Sequence, residues 1–199
     1  MQPAFFDKHK ALRDVLGVVV FILAVIIGAW LINTFLFRSF SVFGPSMETT
    51  LYTDDRLIVN RLPVTWTHLQ GKIYQPQRGQ VIVFKNPRFS AGMQDEYIVK
   101  RVIGLPGERV ALKDGTYTVY NSQHPKGFDP DALTPNGPSS PTDGEVDEVV
   151  PRGEIFVSGD HRQAGFSLDS RNGMGTIPLE DVIGPVGLRI YPFTKLRTF

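Results

Sequence analysis

Ser46 stands between a proline and a methionine in SVFGPSMETTLYTDDRLIV, residues 41–59. A serine hydroxyl attacks a carbonyl only when a neighbour takes its proton. Two residues are candidates for that base. His161, in Gly159-Asp160-His161-Arg162, follows Ser46 in an order compatible with a triad, but no sequence spacing specifies one. The nucleophile elbow G-x-S-x-G fails because Glu48 occupies the second glycine position, and no serine is followed by lysine in an S-x-x-K pattern. His161 reads better as a turn residue hydrogen-bonded at the start of a loop. The other candidate is Lys100, in Tyr97-Ile98-Val99-Lys100-Arg101-Val102-Ile103. Strand alternation gives it the face of Ile98 and Val102. Burial of that face would disfavour the ammonium and bring its pKa from about 10.4 toward 7–8. Lysines in strands are more often solvated, however, and Arg101 on the opposite face reads as exposed. Spacing alone leaves the Ser46–Lys100 pair open.

The elements that must position these residues begin with an anchor. Val15 to Phe37 is a run of 23 residues without a charge, polar only at Asn33 and Thr34. At 1.5 Å per residue it spans a hydrocarbon core of about 30 Å. A cleaved signal peptide is the competing reading, with Ser39-Phe40-Ser41 as a nominal site, but its apolar region runs only about 7–15 residues. Lys8, Lys10 and Arg13 precede the run and Arg38 stands alone after it, so the positive-inside rule puts residues 1–14 in the cytoplasm and residues 38–199 outside. The exported part reads as one mainly β domain. Strands are expected at Leu57–Val59, Gln80–Phe84, Tyr97–Ile103, Arg109–Leu112, Tyr117–Tyr120, Ile155–Val157 and Val186–Tyr191. Asp114-Gly115 marks a hairpin. Residues 121–145, rich in Pro, Gly, Ser and Asp, read as an exposed excursion, and residues 63–76 as a second insertion. With 21 basic and 20 acidic residues, no charge excess argues for nucleic acid. The absence of cysteine removes thiol chemistry, and the four histidines have no ligand spacing, so neither a metal nor a cofactor is expected.

Four segments in order resemble the conserved boxes of bacterial-type signal peptidase I, membrane-anchored Ser/Lys endopeptidases with a β-rich catalytic domain. GPSMETTLYTDDRLIV is similar to the nucleophile box, RGQVIVFKNP to the next, KRVIGLPGERV to the general-base box, and VPRGEIFVSGDHRQAGFSLDSR to the last. The resemblance runs from the anchor to Ile190-Tyr191-Pro192, apart from the two insertions. It implies that Ser46 is the nucleophile and Lys100 the general base. Ser167 would orient the lysine, supported by Asp169, Ser170 and Arg171, with Gly159 and Asp160 shaping the wall beside it. The Ser46 N–H would serve an oxyanion hole, and Met47 and Ile98 a substrate pocket. Three positions depart from the pattern. Thr49 replaces a usual proline, Gly44 lacks a hydroxyl that some members carry, and Gln163-Ala164-Gly165-Phe166 fills a spacing where two residues are usual. The resemblance implies cleavage of signal peptides from exported preproteins after Ala-x-Ala-type sites, at a plasma membrane, by a monomer. Phe35–Phe43, Trp66 and Leu69 would either meet the bilayer or pack the core. A catalytically silent membrane-anchored binding protein and a peptidase dedicated to one substrate remain alternatives.

Overall fold

The apolar run forms one helix over Lys10–Leu31 that ends in a π-helical turn, Ile32–Leu36. Together, Leu12–Leu36 is long and apolar enough to cross a membrane, and none of the other described residues buries it. The computed structural model describes residues 10–93, 95–134, 137–138 and 141–199. Lys8, one of the flanking charges, most of the segment 1–14, and residues 135, 136, 139 and 140 of the excursion lie outside them. The span closes one residue earlier than the apolar pattern indicates, because Phe37 already belongs to a strand.

That strand, β1 (Phe37–Ser41), edges a large antiparallel sheet. The sheet also contains β2 (Arg56–Asn60), β3 (Val81–Lys85), β4 (Tyr97–Gly104), β8 (Glu154–Ser158), β9 (Ile177–Pro178) and β10 (Val182–Tyr191). Its order is β1-β2-β10-β3-β4-β8-β9, with the short β11 (Arg197–Thr198) added to β10. A smaller sheet holds β5 (Arg109–Lys113) between β6 (Thr116–Tyr120) and β7 (Val146–Val149). The architecture is mainly β with one apolar N-terminal helix, as expected.

Sequence chemistry accounts for the layering. Val81-Ile82-Val83-Phe84 is apolar without alternation because both faces of β3 are covered. Ile82 and Phe84 join Val102, Ile155, Val157 and Ile177 on one side, while Val81 and Val83 join Met47, Leu51, Leu57 and Val59 on the other. A third cluster fastens the small sheet, with Val110, Leu112, Tyr117 and Val119 meeting Ile103 and Phe156. The β5–β6 hairpin turns at Asp114 and Gly115, both at positive φ, the geometry that Asp-Gly supplies.

The seven expected strands are present within a few residues of their predicted bounds. β1, β7, β9 and β11 were not signalled. β1 is a half-exposed edge directly after the span, β7 carries two acidic residues in four, and β9 and β11 are two residues each. Residues 63–76 contain a short helix, Leu62–Leu69, tethered to the π-turn: the Thr65 hydroxyl donates to Phe35 O and the Arg61 N–H to Leu36 O, both at 2.8 Å.

The excursion 121–145 is not simply exposed, and this corrects the composition-based reading. The Arg162 side chain is fully buried, ion-paired with Asp131 and hydrogen-bonded to the Thr142 hydroxyl at 3.0 Å. The loop supplies the acid that lets an arginine sit inside the domain. Asp131→Ala would strand that guanidinium without its charge partner, a loss of about 3 kcal/mol. Denaturant unfolding of the full chain in detergent checks this, and a change below about 0.5 kcal/mol would contradict it.

Candidate active site

Ser46 sits on a turn that leaves β1. Val42 N–H donates to Asp55 O and Asp54 N–H to Val42 O, so the β1–β2 pairing extends to the turn itself. Gly44 then takes φ +87°, a left-handed conformation open to glycine, and its N–H donates to the Thr53 hydroxyl. Beyond the serine, Met47 and Leu51 are completely buried and bolt the turn to the core. Met47 is therefore beneath Ser46 and not on the wall of the cleft, where the expected pocket role would need it. Ile98 does line the cleft.

Lys100 enters from β4. Its Nζ lies 2.6 Å from Ser46 Oγ, and the residue is only 3% exposed. The directly paired residue across the sheet is Ile82, so the amine's stem is embedded in hydrocarbon. Burial lowers the Lys100 pKa to about 8 against an opposing pull from Asp169 and Asp160. Arg101, expected to be solvated, is instead buried. Its Nε and Nη2 donate to the two Asp160 oxygens at 2.7 and 2.5 Å, and Nη1 donates to Gly79 O. A buried ion pair across the sheet explains what alternation and polarity alone had misassigned.

The last motif forms a single hydrogen-bonded knot. Asp169, with no exposed surface, accepts from the Gly159 N–H at 2.8 Å, the Ser167 hydroxyl at 2.7 Å, and Arg171 Nε and Nη2 at 2.9 and 2.8 Å. Burial disfavours this carboxylate, but Arg171 and the other donors outweigh it and hold its pKa below the ordinary range. Ser170 ties the same loop to β8, accepting from Val157 N–H and donating to Gly175 O. The predicted Ser167 hydrogen bond to the lysine is not made: the hydroxyl is committed to Asp169. Gly159 is where the knot meets the serine turn. A Cβ there would lie 2.2 Å from Ser167 Oγ and 2.4 Å from Ser46 O, so only glycine fits.

His161 meets the serine turn through the turn's backbone carbonyls. Its N–H donates to Ser46 O, its Nδ1 is 3.2 Å from Pro45 O, and its ring stacks on Phe166 at 4.0 Å. It braces the turn as a loop residue and makes no contact with the Ser46 hydroxyl. Phe166 belongs to the extra residues of the 163–166 loop, and with Leu168 and Phe43 it rims a cleft of about 380 Å³ over Ser46 and Lys100. Phe43 was expected at the bilayer or in the core and Phe166 only as part of the longer loop, while Leu168 was not singled out; their one signal as cleft residues was large apolar side chains in loops flanking the motifs.

Two further features define what the site can do. The Ser46 N–H has no partner among the described residues, leaving a donor beside the hydroxyl. β8 pairs with β4 only from Arg101 onward, so the outer edge of Tyr97–Val99 is open immediately before Lys100. An extended peptide adding to that edge would carry its backbone past Ser46. A hydroxyl, a buried amine of depressed basicity and a free N–H donor suffice for acyl transfer.

The family described as signal peptidase, peptidase S26, matches residues 15–191. Signal peptidase I P of Bacillus subtilis subsp. natto is 32% identical over 96% of this chain and 98% of its own length. Signal peptidase I of Bacillus licheniformis is 33% identical over 88% of each chain. A crystal structure of a signal peptidase I from Enterococcus faecalis V583 aligns with 57% of this chain and 98% of its own at 28% identity, with a TM-score of 0.42.

The buried amine has a stability signature. Unfolded, Lys100 titrates near 10.5; folded, near 8. Between these values the unfolded chain binds more protons, so stability rises with pH, and below pH 8 about 3 kcal/mol is forgone. Lys100→Met removes the buried charge. In the full chain a recovery of about 1–2 kcal/mol of the forgone stability should raise the thermal midpoint at pH 7 by roughly 2–8 °C and flatten the rise between about pH 8 and 10.5. An unchanged midpoint and slope would mean that the amine is not held in its depressed state.

Proposed function

This chain belongs to the signal peptidase family, peptidase S26, and we propose that Ser46 is its nucleophile and Lys100 its general base. It is a serine endopeptidase with signal peptidase I function, acting on exported preproteins, and its apolar helix anchors it in a membrane. The observation that carries the dyad is the 2.6 Å approach of the Lys100 amine to Ser46 Oγ inside a buried site.

In this reading the preprotein lies extended along the open edge of β4, with shallow pockets near Ile98 selecting small residues one and three positions before the cut. Ser46 Oγ attacks the scissile carbonyl carbon as its proton passes to neutral Lys100. Negative charge builds on the carbonyl oxygen, and the Ser46 N–H points a donor toward it, an interaction worth a few kcal/mol. The resulting ammonium gives its proton to the departing amine, which breaks the C–N bond and leaves an acyl-enzyme. A water then loses its proton to Lys100 and attacks the ester, releasing the signal peptide and restoring the serine. Ser167, Asp169, Ser170 and Arg171 act as positioning residues: they fix Gly159 and the loop behind the dyad. Asp160 does the same through Arg101.

The domain division follows the same reading: a short cytoplasmic N-terminus, one span, and a catalytic domain outside the membrane. Lys10 and Arg13 on the N-terminal flank support that orientation. A monomer suffices, because one chain supplies the nucleophile, base and cleft.

The test is cleavage of a preprotein with an Ala-x-Ala site by the full chain in lipid. Ser46→Ala and Lys100→Ala should each abolish cleavage while the β-rich fold persists, since the pair acts as one unit. Residual turnover well above background in either variant would overturn the assignment. Ser167→Ala should be milder, a loss of about ten- to a hundredfold in kcat with KM little changed. A kcat within twofold of the unmodified enzyme would remove Ser167 from the positioning role.

A further inference from the structure

The short helix Leu62–Leu69 turns its apolar stripe the wrong way for a core. Leu62, Trp66 and Leu69 recur at i, i+4 and i+7, one face of a helix. In a domain stabilised by that face they would be buried, yet they are 45%, 65% and 77% exposed, and Val64 is the helix's only buried residue. With Pro63 and with Phe35 and Leu36 from the end of the span, they wall a shallow apolar groove.

What covers this face follows from what it is attached to. Thr65 and Arg61 hydrogen-bond the carbonyls of Phe35 and Leu36, so the stripe is fixed to the last turn of the membrane-crossing segment. Whatever medium surrounds Phe35 and Leu36 also reaches Trp66. At the exit of a span that medium is the boundary between acyl chains and headgroups, where an indole ring is favoured and amphipathic helices lie flat. Arg38 and Arg61 flank the same exit, and neither has a carboxylate partner among the described residues.

We propose that the helix Leu62–Leu69 is an interfacial foot, set into the bilayer surface beside the exit of the span. The inference rests on the reading of Leu12–Leu36 as a membrane span. Its consequence is geometric. A domain hung from one helix is free to rotate about that helix, whereas a second contact beside it fixes tilt and height. β1 runs directly from the span to the serine turn, and Phe37 to Ser46 reaches at most about 30 Å. The foot therefore holds the cleft close to the surface from which a membrane-inserted preprotein would present its cleavage site.

Trp30 and Trp66 are the only tryptophans in the chain, so Trp30→Phe leaves Trp66 as the sole reporter. In the full chain reconstituted into phosphatidylcholine vesicles, lipids brominated near the headgroup end should quench Trp66 more than lipids brominated at the acyl termini. Water-exposed emission without bromine quenching overturns the proposal. So does a Trp66 shielded from both brominated lipid and aqueous iodide, which would mean that protein, such as a second copy, covers the face. In a functional arm, Trp66→Asp/Leu69→Asp should keep turnover of a short soluble peptide within twofold. It should reduce cleavage of a bilayer-inserted preprotein by about tenfold or more, less than the full transfer of an indole and a leucine out of an apolar site because the span still tethers the domain. Equal turnover of the inserted preprotein by variant and parent overturns the foot. Failure of the parent to cleave the peptide would instead count against the dyad and leave the quenching result standing.

Discussion

A lysine serves as a base near neutral pH only if no carboxylate within reach is free to hold its proton. Asp169 and Asp160 are the two acids that act most strongly on Lys100, with Asp95 at the cleft a smaller influence, and either of the first two left unpaired would favour the ammonium further. Each is taken by an arginine instead. Arg171 grips Asp169 and Arg101 grips Asp160, both in two-toothed pairs inside the domain. With both acids so occupied, desolvation decides the balance and the amine loses basicity. Two buried ion pairs thus limit how far the neighbouring acids favour the ammonium, which leaves the amine easier to deprotonate than an exposed lysine.

The constraint propagates outward through close contacts. Asp169 can be buried because the Gly159 N–H, the Ser167 hydroxyl and Arg171 satisfy its oxygens, and Gly159 can approach because it has no side chain. Arg171 in turn donates to the Arg162 carbonyl, and Arg162 is held by Asp131 and Thr142 from a loop distant in sequence. The serine is located by the opposite kind of force. Met47 and Leu51 anchor its turn in hydrocarbon, and the His161 N–H donates to its carbonyl. Ser46 and Lys100 are therefore carried by different elements, the serine on a turn packed into the core and the lysine on β4, and they meet at 2.6 Å.

Much of this was legible in the residues. Gln80–Phe84 announced a strand, Asp114-Gly115 a hairpin, and the 23-residue uncharged run a long apolar helix, because each is a local pattern with a local cause. The four motifs, read in order, brought Ser46 and Lys100 forward together, which spacing alone could not do. What escaped depends on partners far away in the chain. Arg101 looked solvated because a charged residue in a strand is buried only when its counter-charge arrives from elsewhere, here Asp160, 59 residues on. Residues 121–145 looked exposed for the same reason, since nothing local reveals that Asp131 meets Arg162. Ser167 was expected on the lysine, but the nearer carboxylate of Asp169 claims its proton. The helix at Leu62–Leu69 was hidden by its brevity and by an apolar stripe that no core receives.

The central claim is that a desolvated lysine amine, not an imidazole, takes the serine proton, and the pH dependence of kcat/KM tests it most directly because it reports the free enzyme's base. For preprotein cleavage by the full chain in lipid, the account predicts an acid limb with its midpoint near pH 8, unchanged in His161→Gln. An acid limb near the ordinary histidine value of about 6.5 that disappears in His161→Gln would contradict it.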